Sequence, residues 1–213
     1  MRAIIRTAKF AYPQVWMTEP ELIHETLIVS EERFSGRLIR LTVDRVRLQS
    51  GSEAEREVVH HSGGVGIVAV AEDGSVLLVR QYRHAAKELL WEIPAGGREP
   101  GESPLETARR ELSEETGYAA EAWLGVGATF LAPGYSTELF WYFRATGLTR
   151  SGDPHPDPDE VLEARSFTPV EVADLVFRGQ LRDAKTLAGL ALAGALDLTS
   201  VGPGGPGLGS TSS

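Results

Sequence analysis

The sequence predicts an α+β fold, or equally a mixed-sheet α/β fold, with a small β-rich lobe in front. Three observations carry this. Short β-rich runs recur on both sides of one well-capped helix. Two of those runs form a hairpin, and two further helices follow the last strand.

Residues 1–20 show weak periodicity and end in Glu19-Pro20-Glu21, so they read as an arm. ETLIVS from Glu25 is β-rich, Ser35-Gly36 is a turn, and Leu41, Val43, Val46 and Leu48 alternate with polar residues. EREVVHH (55–61) reads as a third short strand. These runs make an N-terminal lobe over 21–60. VGIVAVA (65–71) and SVLLVRQYR (75–83) flank Glu72-Asp73-Gly74, a hairpin turn. LLWEIPAGG (89–97) then enters a Gly/Pro-rich loop. Ser103 is an N-cap, Pro104 takes the first helical position and Glu106 closes a capping box. Leu105, Ala108 and Leu112 mark the apolar face of this helix, and Gly117 is its stop. Strands are expected at 122–130, 138–146 and near 161–167, the last after a polar Pro/Asp loop at 151–159. Thr168-Pro169 opens a helix to about Arg178, and an Ala/Leu-rich helix is expected over 183–196. The main domain therefore spans 61–197, and 198–213, rich in Gly and Ser, reads as a disordered tail.

Composition limits the function. With 42% apolar and 24% charged residues, wholesale disorder is excluded. Thirty acids against 21 bases leave a net charge of −9, which argues against non-specific binding to nucleic acid or an anionic membrane. No apolar run reaches the ~20 residues that span a bilayer. The absence of cysteine excludes disulfides, thiolate metal sites and cysteine nucleophiles. No signal peptide is evident, so a cytoplasmic location is expected.

The segment from Gly96 to Tyr118 carries the chemistry. At about 100° per residue, Glu111 and Glu115 share a flank bordering the apolar face, while Glu114 lies further towards solvent. Like charges at this spacing repel. A hard divalent cation reverses the sign, and magnesium takes oxygen ligands while sharing substrate phosphates. A solvated acidic face with Arg109 and Arg110 as counterions would explain the helix alone. The flanking residues decide otherwise.

Gly96, Glu102, Arg110-Glu111-Leu112, Glu114-Glu115 and Gly117-Tyr118 match every fixed and apolar position of the signature of the Nudix hydrolases, and the segment resembles that family. The resemblance implies an α/β/α sandwich in which a loop–helix–loop holds divalent cations, magnesium or alternatively manganese, against a diphosphate. It implies Glu111 and Glu115 as the main metal ligands, joined by Glu114 and the Ala95 carbonyl. Arg110 is implied as a partner that orients a glutamate.

Over roughly 25–196 the chain resembles the ADP-ribose pyrophosphatase branch. The features are Gln81-Tyr82-Arg83, Trp91-Glu92-Ile93-Pro94-Ala95-Gly96, the run Pro133-Gly134-Tyr135-Ser136-Thr137-Glu138, the acidic Asp159-Glu160-Val161-Leu162-Glu163 and Asp183-Ala184-Lys185-Thr186. This implies hydrolysis of ADP-ribose to AMP and ribose 5-phosphate. GDP-mannose or another nucleoside-diphosphate sugar is the rival substrate, and a non-catalytic ADP-ribose-binding module the rival class. Substrate contacts are expected from Arg83, Glu92, Gly134, Glu138 and His61. Leu38 and Arg56 stand nearest to where the branch places its adenine-stacking aromatics. The resemblance also places the general base in the acidic loop, at Glu160 with Asp159 second, and pairs two subunits through the N-terminal lobe. Trp91 and Trp141 are expected in the core.

Overall fold

The computed structural model describes residues 24–155 and 163–199. The arm at 1–20, the acidic-loop residues Asp159 and Glu160, and the tail from residue 200 lie outside the described residues. The chain divides into two units between His60 and His61.

In the first unit β1 (Thr26–Ser35), β2 (Arg40–Arg47) and β3 (Glu53–His60) form one antiparallel sheet in that order. The Gly36 amide closes the first turn on the Ile39 carbonyl at 2.9 Å. Burial is sparse. Thr42 and Val46 are covered, while Leu27, Ile28, Phe34 and Leu38 lie open to solvent.

The second unit holds a seven-stranded mixed sheet. Its first strands are β4 (Gly64–Val70) and β5 (Val76–Arg83), joined at Gly74, which adopts a φ of 84° that favours glycine. β6 (Glu88–Glu92) pairs with β5, and β7 (Ala95–Gly97) with β4. Where the sequence suggested a strand running into a loop, the chain makes two strands with a switch at Pro94. Proline has no N–H to continue the β5 ladder, but its carbonyl accepts from Ile67 N at 2.8 Å and so hands the chain to β4. Helix α1 (Pro104–Thr116) follows, then β8 (Tyr118–Phe130) and β9 (Leu139–Arg150). β9 runs parallel to β4, and every other pairing is antiparallel. β10 (Glu163–Phe167) pairs with β5 and leads into α2 (Pro169–Phe177) and α3 (Ala184–Leu192). α3 is shorter than the expected 183–196. Gly194 turns to a φ of 64°, and Ala195 N bonds back to the Leu190 carbonyl.

Side chains of β4 alternate between two cores. Val65, Ile67 and Ala69 pack with Ala108 and Leu112 of α1. Val68 and Val70 pack with Val172 of α2 and Leu190 of α3. Helices therefore cover both faces, and β4 is buried throughout. This is the α/β/α sandwich.

Candidate active site

Helix α1 is built by local rules. Ser103 accepts from the Glu106 amide, the Glu106 carboxylate accepts from Ser103 N, and Pro104 occupies the first turn. Gly117 caps the end at a φ of 69°, where a Cβ would also strike the Gly152 carbonyl. Burial of Ala108 and Leu112 sets the helix rotation. Glu111 and Glu115, flanking that stripe, are then 8% and 3% exposed. Glu114 stays more open.

β7 meets this flank. Ala95 N donates to Glu115 Oε2 at 3.0 Å. A Cβ on Gly96 would fall on the Glu111 carboxylate, so the glycine is required by close approach. Ala95 thus meets Glu115, Gly96 meets Glu111, and Arg110 links Glu111 to Glu114. Arg110 lies among the carboxylates. Its Nη1 donates to Glu111 Oε1 at 2.8 Å and Glu114 Oε2 at 2.9 Å, and its Nε donates to Glu102 Oε1 at 2.9 Å. Glu102 also accepts from Glu99 N and Thr107 Oγ1. Hydrogen bonds from Arg110 and the Glu99 amide hold the Glu102 carboxyl down to about 2. The same carboxylates push Arg110 up, with Glu102 foremost.

Among the described residues, no three His, Asp or Glu side chains converge at metal-ligand spacing. The donor chemistry nevertheless fits a hard divalent cation. Three carboxylates, Glu102, Glu111 and Glu114, surround the Arg110 guanidinium, a fourth, Glu115, accepts from Ala95 N, two of the four are buried, and a backbone strand without side chains at Gly96 and Gly97 lies against Glu111 and Glu115.

A second cluster joins the ends of β5, β6 and α3. Glu92, 1% exposed, grips Arg83 through two bonds of 2.8 and 2.6 Å and accepts from Lys185 Nζ at 2.5 Å. Burial pulls the Glu92 carboxyl upward, but the Arg83 hydrogen bonds and the Lys185 charge outweigh it and hold it low. Arg83 is pushed up by its bonds to Glu92, with smaller pulls from Asp183 and Glu115. Glu92 stands behind Arg83, enclosed. The sequence offered Lys185 only within the run Asp183-Ala184-Lys185-Thr186 and gave it no role; in the structure Asp183 is the N-cap of α3.

The other candidates have local partners of their own. His61 Nδ1 accepts from Gly63 N at 3.0 Å and lies 3.6 Å from Glu138 Oε1. Tyr135 and Ser136 amides donate to the Ala132 carbonyl, which makes a turn around Gly134. A Cβ on Gly134 would meet nothing, so sterics do not demand that glycine. Arg56 belongs to the first unit, where its Nε and Nη2 bond Glu25 at 3.1 and 2.5 Å. Trp91 packs edge-on against Phe167, and Trp141 packs against the α1-side core beneath Arg98.

Comparison with known proteins gives one family. Residues 60–190 match the NUDIX domain. An ADP-ribose pyrophosphatase of Bacillus subtilis is 38% identical over 165 residues, covering 77% of this chain and 89% of that protein. An ADP-ribose pyrophosphatase of Mycobacterium tuberculosis is 39% identical, covering 76% and 80%. A methanol dehydrogenase activator of Bacillus methanolicus is 37% identical, covering 78% and 91%. A solved structure described as an ADP compounds hydrolase superposes with a TM-score of 0.72 at 23% identity, over 82% of this chain and 94% of that one.

Proposed function

Because the chain belongs to the NUDIX domain family, we propose that it hydrolyses the diphosphate bond of ADP-ribose to AMP and ribose 5-phosphate, using divalent metal ions. The observation that carries this is the pair Glu111 and Glu115, buried on α1 against β7. Arg110 compensates Glu111 and the Ala95 amide meets Glu115; a divalent cation would add positive charge to this buried carboxylate pair, and a guanidinium such as that of Arg83 suits a diphosphate oxygen.

Glu111, Glu115 and Glu114, with the Ala95 carbonyl, would hold the metal, magnesium in the first instance and manganese as the alternative. A bound divalent ion neutralises the diphosphate and lowers the pKa of a coordinated water. Each other task falls to the chain itself. α1 is a capped, packed helix that fixes the carboxylates. Arg110 holds Glu111 and Glu114 in place. Arg83 binds a phosphate oxygen, with Gly134, Glu138 and His61 assigned to the rest of the substrate. Glu160 is proposed to accept the proton of the attacking water, with Asp159 as second choice and Glu114 and Glu115 as assisting carboxylates.

The open apolar positions Leu27, Ile28, Phe34 and Leu38 on a sheet with little core of its own support a homodimer through residues 21–60. A cytoplasmic location belongs to the same reading. No helix among the described residues is long and apolar enough to cross a membrane.

A second reading, another nucleoside-diphosphate sugar, draws on Arg56. Its guanidinium is engaged by Glu25, and no aromatic stands at that position. The test is a panel of ADP-ribose, GDP-mannose and other nucleoside diphosphate derivatives with magnesium, scored for released monophosphate. Preferential release of AMP from ADP-ribose supports the proposal. Preference for GDP-mannose selects the second reading, and tight binding of ADP-ribose without turnover selects a non-catalytic module.

A further inference from the structure

The cluster of Arg83, Glu92, Lys185 and Asp183 contains more charge than an arginine anchor needs. One buried carboxylate can be neutralised by one guanidinium. Here Glu92 Oε1 receives Arg83 Nε, while Oε2 receives both Arg83 Nη2 and Lys185 Nζ. Lys185 lies 2.9 Å from Asp183 Oδ1 as well, and its side chain is only 12% exposed. The lysine is held by backbone geometry. Asp183 caps α3 by accepting from Thr186 N and Oγ1, and Thr186 Oγ1 accepts from Ile93 N at 2.9 Å, the residue next to Glu92. Gly189 lets α3 press onto the same strand end, where a Cβ would come 2.8 Å from Ile93 Cδ1.

We propose that Lys185 is a positioning residue that acts through Glu92 to aim Arg83 at the substrate diphosphate and to leave its charge available there. The inference rests on the hydrolase reading above. Two donors from Arg83 are spent in the fork on Glu92, and the remaining three of its five N–H groups face elsewhere. With Lys185 present, Glu92 is shared between two cations. Without it, Glu92 and Asp183 both draw on Arg83, and the guanidinium's charge is spent inward. Arg83 is also the more exposed partner, at 38% against 2% for the Glu92 side chain. It is thus the member of the network that can meet a ligand.

The experiment is a double-mutant cycle in the full-length protein with ADP-ribose and magnesium. Wild type, Lys185→Met, Arg83→Met and the double variant are compared in kcat, KM and Tm. Lys185→Met is expected to raise KM about tenfold, the scale of a lost charge-assisted hydrogen bond, with a smaller change in kcat. In the Arg83→Met background the same change should add almost nothing, because the arm through which Lys185 acts is gone. Lys185→Arg should restore most of the KM. Equal effects of Lys185→Met in both backgrounds would overturn the proposal, as would an unchanged KM. If Lys185→Met does not fold, Lys185→Gln takes its place in the cycle. A wild type that binds ADP-ribose without cleaving it defeats the hydrolase reading alone, and the cycle is then read on calorimetric affinity. A wild type that neither binds nor cleaves overturns both.

Discussion

Replacing Gly96 with alanine tests whether the approach of β7 to α1 sets the geometry of the reaction centre. Gly96 has an ordinary φ, so alanine costs nothing in backbone strain. What it meets is the Glu111 carboxylate, on which the new Cβ would fall. Glu111 is 8% exposed and is bonded to Arg110 Nη1 at 2.8 Å. It has little room to retreat. Relief requires a shift of roughly 1 Å in the carboxylate or the strand, and a misplacement of about that size costs on the order of 10²-fold in rate. Gly97→Ala is the matched control, since a Cβ there meets nothing within 4 Å. The assay is steady-state release of AMP from ADP-ribose across a magnesium titration, with circular dichroism to confirm folding. Gly96→Ala should fold, lose about 10²-fold in kcat/KM and demand more magnesium, while Gly97→Ala stays near wild type. Equal activity of the two variants would refute the idea that Glu111 is held by this contact.

Four further outcomes are expected. Glu115→Gln should keep the fold and lose at least ~10²-fold in turnover, and wild-type turnover at saturating magnesium would remove it from the metal site. Glu160→Gln should depress turnover by ~10²–10⁴-fold without weakening magnesium binding, with Asp159→Asn as the comparison. If Asp159 alone matters the base is Asp159, and if neither does it is a carboxylate of α1, Glu114 first. Sedimentation should give a dimer, and a 23.1 kDa species at micromolar concentration would exclude pairing through residues 21–60. Glu102 is depressed from 4.5 to about 2 by Arg110 and the Glu99 amide. Its contribution is present above pH 4.5 and is lost as pH falls towards 2, so Glu102→Gln should flatten the acid limb of Tm against pH. An unchanged limb would mean these bonds do not persist in solution.

The sequence by itself determined α1 and the flank that its carboxylates occupy. Ser103, Pro104, Glu106 and Gly117 act within a few residues of one another, so the helix ends could be placed from them. Helical spacing alone set Glu111 and Glu115 on the flank of the Ala108–Leu112 stripe. The alternation along VGIVAVA was legible too, though a strand buried on both faces says nothing about which helix covers which face. Only the tertiary structure decided the rest, because it depends on partners far apart in the chain. Pro94 moves the strand from β5 to β4 because Ile67 offers it a donor. Gly96 is needed because α1 returns to it 15 residues later, not because of any turn. Glu92, surrounded by apolar neighbours in Trp91-Glu92-Ile93, gave no local sign that its counterions would be Arg83 across the hairpin and Lys185 at the far end of the domain, 93 residues away. A buried charge is tolerated only where its partners arrive, and their arrival is a property of the assembled fold.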